Sequence, residues 1–220
     1  MAAFATLIAM ALVAAGPSDA PEEAKVERAA GLLHNGKAGD ALALLETALA
    51  GFERRYSKEK RRIYCAHAPT ETLFYLVGAA KDRRDAVAIG PGWCDALFMK
   101  GYVLVELGRV ADGRPVLEKA VAMAPANSHY QNELAFNYQA TREWPRALEL
   151  YRNAYDSAMI GEASSRVLEQ SRALRGQGYV LVEQGKWDEA KAVYEKALAL
   201  DPNDAKAKGE LGYIAEHRPR

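Results

Sequence analysis

From Cys94 onward, apolar and small residues recur with the three-and-four spacing of amphipathic helices. The run Gly101-Tyr102-Val103-Leu104-Val105-Glu106-Leu107-Gly108 returns almost unchanged as Gly178-Tyr179-Val180-Leu181-Val182-Glu183-Gln184-Gly185. Small residues at Gly101, Ala135, Gly178 and Gly212 mark a 34-residue period, broken once by nine extra residues near Ile160 to Gln170. Within each unit a second set follows in register: Gly113, Ala147 and Ala190, then bulky Leu117, Tyr151 and Tyr194, then Ala120, Ala154 and Ala197. Each unit thus predicts two helices joined by a tight turn, with small residues where they touch. Gly108 and Gly185 sit where the chain past a helix end needs positive φ. Val110, Trp144 and Trp187 open the second helices, and Pro125 and Pro202 stop two of them. Alternating strand patterns are scarce, so the expected class is all-α.

This spacing resembles the tetratricopeptide repeat family, whose fold is an α-solenoid. The resemblance covers Cys94 to Ala215, as three repeats and a solo final helix. Leu97, Gln131 and Leu174 stand where the family has a tryptophan, Arg142 replaces a turn glycine, and Met159 replaces a closing proline. Glu22 to Ala50 fits a more distant repeat. Between Tyr56 and Gly92 the register persists at Ala79, Ala86 and Pro91, but His67 falls on a small packing position and Arg83 on a bulky apolar one. A distorted helical pair is expected there, broken at His67 to Pro69. The organisation read from the chain is a leader over residues 1–20, divergent helical repeats over 21–93, and three repeats with a capping helix over 94–220. The nine extra residues predict a first helix that starts at Ser164 or Ser165 and overhangs by about two and a half turns. Such an overhang either covers one end of a groove or is a solvent-exposed loop and helix.

Charge and composition narrow the partners. Lys and Arg number 29 against 29 Asp and Glu, so no global basic field points to nucleic acid or to an anionic membrane. An apolar half and a charged quarter suit a folded chain. Phe4 to Ala15 is an uncharged apolar run, too short to span a bilayer and of signal-peptide length. Cleavage is expected near Ala15, or alternatively Ala20. The chain is then periplasmic or secreted, although no Lys or Arg precedes the run; an Ala-rich first helix of a cytoplasmic protein is the alternative. Export would permit a disulfide between Cys65 and Cys94, 29 residues apart and so close to one repeat; the other reading is two buried thiols.

Chemistry is sparse. Ser57-Lys58-Glu59-Lys60 has the S-x-x-K spacing but lacks its companion elements and reads as a solvated charge run. His34, His67, His129 and His217 show no metal-ligand spacing, and no phosphate-binding loop or cofactor fingerprint occurs. What the resemblance implies is a concave face lined by the first helix of each repeat. On it the residue after each small position would point inward: Tyr102, Phe136, Tyr179 and Tyr213. These rings either form an aromatic ladder for a partner or pack against neighbouring repeats. Polar neighbours would include Glu106, Glu133, Arg172 and Arg175, the two arginines offering a partial anion site. The Lys and Asn of a carboxylate clamp are missing. The expected function is non-enzymatic capture of a protein or peptide, without cofactor, with self-association left open. A structural subunit of an envelope assembly and an enzyme with a site in 56–93 are the alternatives.

Overall fold

The computed structural model describes residues 19–219. Apart from Asp19 and Ala20, the leader lies outside the described residues. The order is α1 (Ala20–His34), α2 (Ala38–Arg55), β1 (Arg62–Cys65), α3 (Pro69–Lys81), β2 (Ala86–Ile89), α4 (Gly92–Glu106), α5 (Val110–Met123), α6 (Ser128–Ala140), α7 (Trp144–Ser157), α8 (Arg166–Glu183), α9 (Trp187–Leu200) and α10 (Ala205–His217). Helices α1/α2, α4/α5, α6/α7 and α8/α9 form antiparallel pairs. The first helices α1, α4, α6, α8 and α10 lie side by side in that order. The second helices open on Val110, Trp144 and Trp187, as the 34-residue period predicts.

The small residues stand where paired helices meet. A Cβ added to Gly101 would lie 2.5 Å from Leu117, and one added to Gly178 would lie 2.5 Å from the Tyr194 ring. Ala135, Ala147, Ala190 and Ala197 are fully buried in the same core. Five helices, α1, α3, α4, α6 and α8, end in one way. A residue with positive φ (Gly36, Arg83, Gly108, Arg142 or Gly185) follows, and the next N–H returns to a carbonyl five residues back. For Gly108 the pair is Gly108 N to Val105 O at 2.9 Å and Arg109 N to Leu104 O at 2.8 Å. That hydrogen-bond pattern caps the last carbonyls of a helix, and it requires the left-handed conformation whatever residue is present.

The segment 56–92 is not a helical pair. It folds as β1, α3 and β2, with the two strands parallel and Arg62 opposite Ala86. The register of Ala79, Ala86 and Pro91 is coincidental here: Ala79 is buried on α3, and Ala86 opens a strand. The ten residues between Lys81 and Gly92 are too few for a second helix with its turns, whereas Val87 and Ile89 favour extended backbone. Pro69 starts α3 instead of breaking a helix, because its missing N–H is not needed in a first turn. The unit is inserted between repeats, since α2 packs directly on α4. Cys65, at the end of β1, is bonded to Cys94 in the first turn of α4, with Cα atoms 6.1 Å apart. In a loop-entropy model this link limits the unfolded chain by about 3–4 kcal/mol.

The overhang is also shorter than expected. Helix α8 starts at Arg166, so it extends only about a turn and a half beyond the start of α6 relative to their small residues. The residues before it form a loop that reaches the insert, where Thr70 Oγ1 donates to the Ile160 carbonyl at 2.9 Å. Ser165 occupies the cap position, but its hydroxyl turns back to Glu162.

Arg142 adopts φ 60° where the equivalent turns have glycine at 74° and 72°. A non-glycine residue there is strained by roughly 1 kcal/mol. Arg142→Gly is expected to raise stability by about 0.5–1 kcal/mol. Gly185→Ala, which adds a Cβ into open space, is expected to lower it by about 1 kcal/mol through backbone strain alone. Urea unfolding of both variants checks this pair.

Candidate functional site

The first helices place four rings in register, one on each of α4, α6, α8 and α10. Tyr102, Phe136, Tyr179 and Tyr213 each follow a small packing residue, and all four are between 36 and 45% exposed. Two of them touch the preceding repeat, and a third packs on its own helix. Tyr179 meets Trp144 edge-on at 6.5 Å, Tyr213 lies 6.4 Å from Trp187, and Tyr102 stacks on Phe98 at 6.5 Å. These three rings are each held by another ring and still partly open to solvent. Phe136 and Tyr179 line a groove of about 680 Å³ between α6, α8 and α10, together with Arg175 and Lys206. Tyr213 lies outside it, stacked on His217 at 4.1 Å.

The polar residues sort differently from the reading as an anion site. Arg172 donates to Glu133 at 2.5 Å, and Arg175 donates to Asp204 at 2.5 Å. Glu133 and Asp204 are both buried, so each guanidinium already faces a carboxylate from its own chain. Asp204 also accepts from the backbone N–H groups of Lys206 and Ala207, capping α10. Tyr102 lies near Glu106, Glu133 and Arg172; burial and then the carboxylates push its hydroxyl pKa up.

A second cluster closes the N-terminal end of the face. His67, Glu71, Asp95, Tyr130, His129 and Glu169 line a cavity of about 310 Å³ beside the 158–165 loop. The Tyr130 hydroxyl donates to Asp95 at 2.6 Å, and the His67 ring contacts the same carboxylate oxygen at 3.0 Å. The backbone N–H of His67 donates to Glu71 at 2.7 Å. Burial opposes charge on His67, but Asp95 and Glu71 outweigh it and raise its pKa to about 9. Glu169 accepts from Asn132 at 2.8 Å and pairs with His129 at 2.9 Å. Burial pushes its carboxyl up, and these partners with Arg172 hold it below the ordinary value. The sequence signal for this cluster was His67, too large and polar for the position its register assigned. Its partners come from four elements, which no local spacing could assemble. Among the described residues, no group of three or more His, Cys, Asp or Glu is placed to hold a metal ion.

Residues 125–203 match a tetratricopeptide repeat family model, and residues 95–127 match a second model of the same description. The chain belongs to the tetratricopeptide repeat family. No curated protein matches its sequence. Among solved structures, Pseudomonas aeruginosa PilF superposes with a TM-score of 0.63 at 17% identity, over 90% of this chain and 69% of that one. TPR-like repeats of a Podosopora anserina protein give 0.61 at 17%, over 90% of this repeat protein and 86% of that chain. MamA of RS-1 gives 0.57 at 15%, over 89% and 83%. At these identities the likeness is one of fold. The matched residues hold the pairs α4/α5, α6/α7 and α8/α9, whereas α1/α2, the β1-α3-β2 unit and α10 lie outside them.

The raised pKa of His67 makes the closed end of the repeat stack sensitive to base. The charged ring is the stabilised form. Its contribution is whole below the ordinary value of about 6.5 and is lost as pH rises through about 9. His67→Gln is expected to cost up to about 3 kcal/mol at pH 6 and much less at pH 10. Thermal unfolding of both proteins at the two pH values measures the narrowing gap.

Proposed function

We propose that this repeat stack is a non-enzymatic protein-interaction module that captures an extended or helical peptide segment on its concave face. The observation that carries the reading is the row of four half-open rings, one per first helix from α4 to α10. A ring pinned along one edge loses little freedom on binding, and it offers a large apolar surface to a partner. Because Arg172 and Arg175 are already paired, apolar contacts supply the affinity and the charged rim sets register. The cavity at His67 gives little support to the enzyme alternative. His67 is protonated at neutral pH and cannot act there as a general base, and Asp95, Glu71 and Glu169 all hold partners from this chain.

Panning a random-peptide library against the full chain tests the groove. Enriched peptides should lose about 2 kcal/mol, roughly thirtyfold in Kd, with Tyr102→Ala and Tyr179→Ala combined. The helical circular-dichroism signal and its melting should stay close to those of the parent. A folded double variant with full affinity would remove the concave face from consideration.

Export is part of the same proposal. The Cys65–Cys94 bond suits an oxidising compartment. Of the two cleavage positions, Ala15 is favoured. Cutting after Ala20 would remove Asp19, whose carboxylate accepts from Arg55 and from the Tyr56 hydroxyl. The intact mass of the native protein is expected to correspond to a chain beginning at Gly16, and a cytosolic species that retains Met1 would refute export.

A further inference from the structure

Helix α3 is amphipathic the wrong way round. Its inward stripe is Glu71, Tyr75 and Ala79, one turn apart, and these are its buried residues. Leu73, Phe74, Leu76 and Val77 occupy the opposite arc and are 36 to 65% exposed. Exposed apolar patches of this kind mark surfaces that are covered in use.

What surrounds the patch points to the cover. Between residues 54 and 85 the chain carries nine Lys and Arg against four Asp and Glu, an excess of five positive charges in a chain whose total is zero. The overall neutrality that argued against an anionic surface therefore hides a local field. Leu73 and Leu76 line a groove of about 850 Å³ shared with Arg61, and Leu76 borders a second depression with Arg83 and Arg84. Arg83 and Arg84 thus flank one end of the apolar arc with free charge, whereas Arg61 at the other is paired with Glu59 at 2.6 Å. Lys58, Lys60, Lys81, Arg83 and Arg84 are exposed, and none of them has an acidic partner among the described residues. Phe74 and Val77 line neither recess and stand out from the helix.

We infer that the α3 face docks the protein on an anionic phospholipid surface. Helix α3 would lie flat in the headgroup layer, with Leu73, Phe74, Leu76 and Val77 immersed. The flanking Lys and Arg would sit at headgroup level, where each gains from the negative surface potential. Projecting apolar side chains with the unpaired cations Lys81, Arg83 and Arg84 beside them suit a fluid interface better than a shaped protein pocket. None of the described helices is long and apolar enough to cross a membrane, so the association would be peripheral. The concave face remains free, and the inference stands independently of the peptide-binding reading.

Flotation of the full chain with vesicles of phosphatidylcholine alone, or with about 30 mol% phosphatidylglycerol, tests this. Binding to the anionic vesicles should exceed binding to neutral ones by about tenfold and should fall as salt is raised. Phe74→Gln with Val77→Gln should lower it about tenfold without changing the melting curve. Lys81→Glu with Arg84→Glu should remove the preference for anionic lipid. Tyr102→Ala with Tyr179→Ala should bind vesicles as the parent does. Absence of binding at low salt overturns the inference. So does binding untouched by both α3 variants, which would place the anchor elsewhere, for instance in residues 4–15. A solution dimer abolished by Phe74→Gln and Val77→Gln, with no vesicle binding, would overturn it in favour of a second copy.

Discussion

A crossing point that carries only a hydrogen atom or a methyl group lets paired helices close until the ridges of one fill the grooves of the other. Gly101 against Leu117 and Gly178 against Tyr194 are such points, and Tyr151 presses on Gly176 of α8 in the same manner. The repeats follow from this constraint. A bulky residue on the second helix needs a missing one on the first, at a fixed interval, and the turn between them needs a left-handed residue to bring the helices face to face. The rings of the concave face then inherit their spacing from the packing row, because each is the next residue along.

That coupling explains what could be read in advance. Helix starts at Val110, Trp144 and Trp187, helix stops before Pro125 and Pro202, and positive φ at Gly108 and Gly185 were all legible. Each is dictated by short-range backbone chemistry repeated at a set distance. The ladder was legible for the same reason, though not how far its rings would lean on Trp144 and Trp187. The insert was not legible. Its strands are four residues long, too short for alternation to show, and three residues happened to keep the helical register. The His67 cluster was invisible because residues 67, 95, 130 and 169 meet only through the placement of four separate elements. The pairing of Arg172 with Glu133 and Arg175 with Asp204 likewise depends on neighbouring repeats.

The insert changes the character of the molecule near its N-terminus. Repeat stacks are quasi-one-dimensional, with each unit supported by its neighbours. Here β1 contacts both α4 and α5, and Cys65 is bonded to Cys94. The Tyr75 hydroxyl oxygen accepts from the Ala126 N–H at 3.2 Å, in the turn between α5 and α6. Polar groups that a plain stack would leave to water are thereby tied to a second layer. A buried hydrogen bond between elements so far apart in sequence specifies one arrangement of those elements.

Thr70 on α3 bonds the carbonyl of Ile160, ninety residues later, and Ile160 packs beside the Tyr64 and Tyr75 rings. A helical solenoid is in effect a spring, able to open or tighten by small rotations between coils. This strap joins points either side of the α4–α7 coils. It opposes stretching of that half. Opening of the α4–α7 coils must therefore break this contact, which opening of the coils beyond α8 need not.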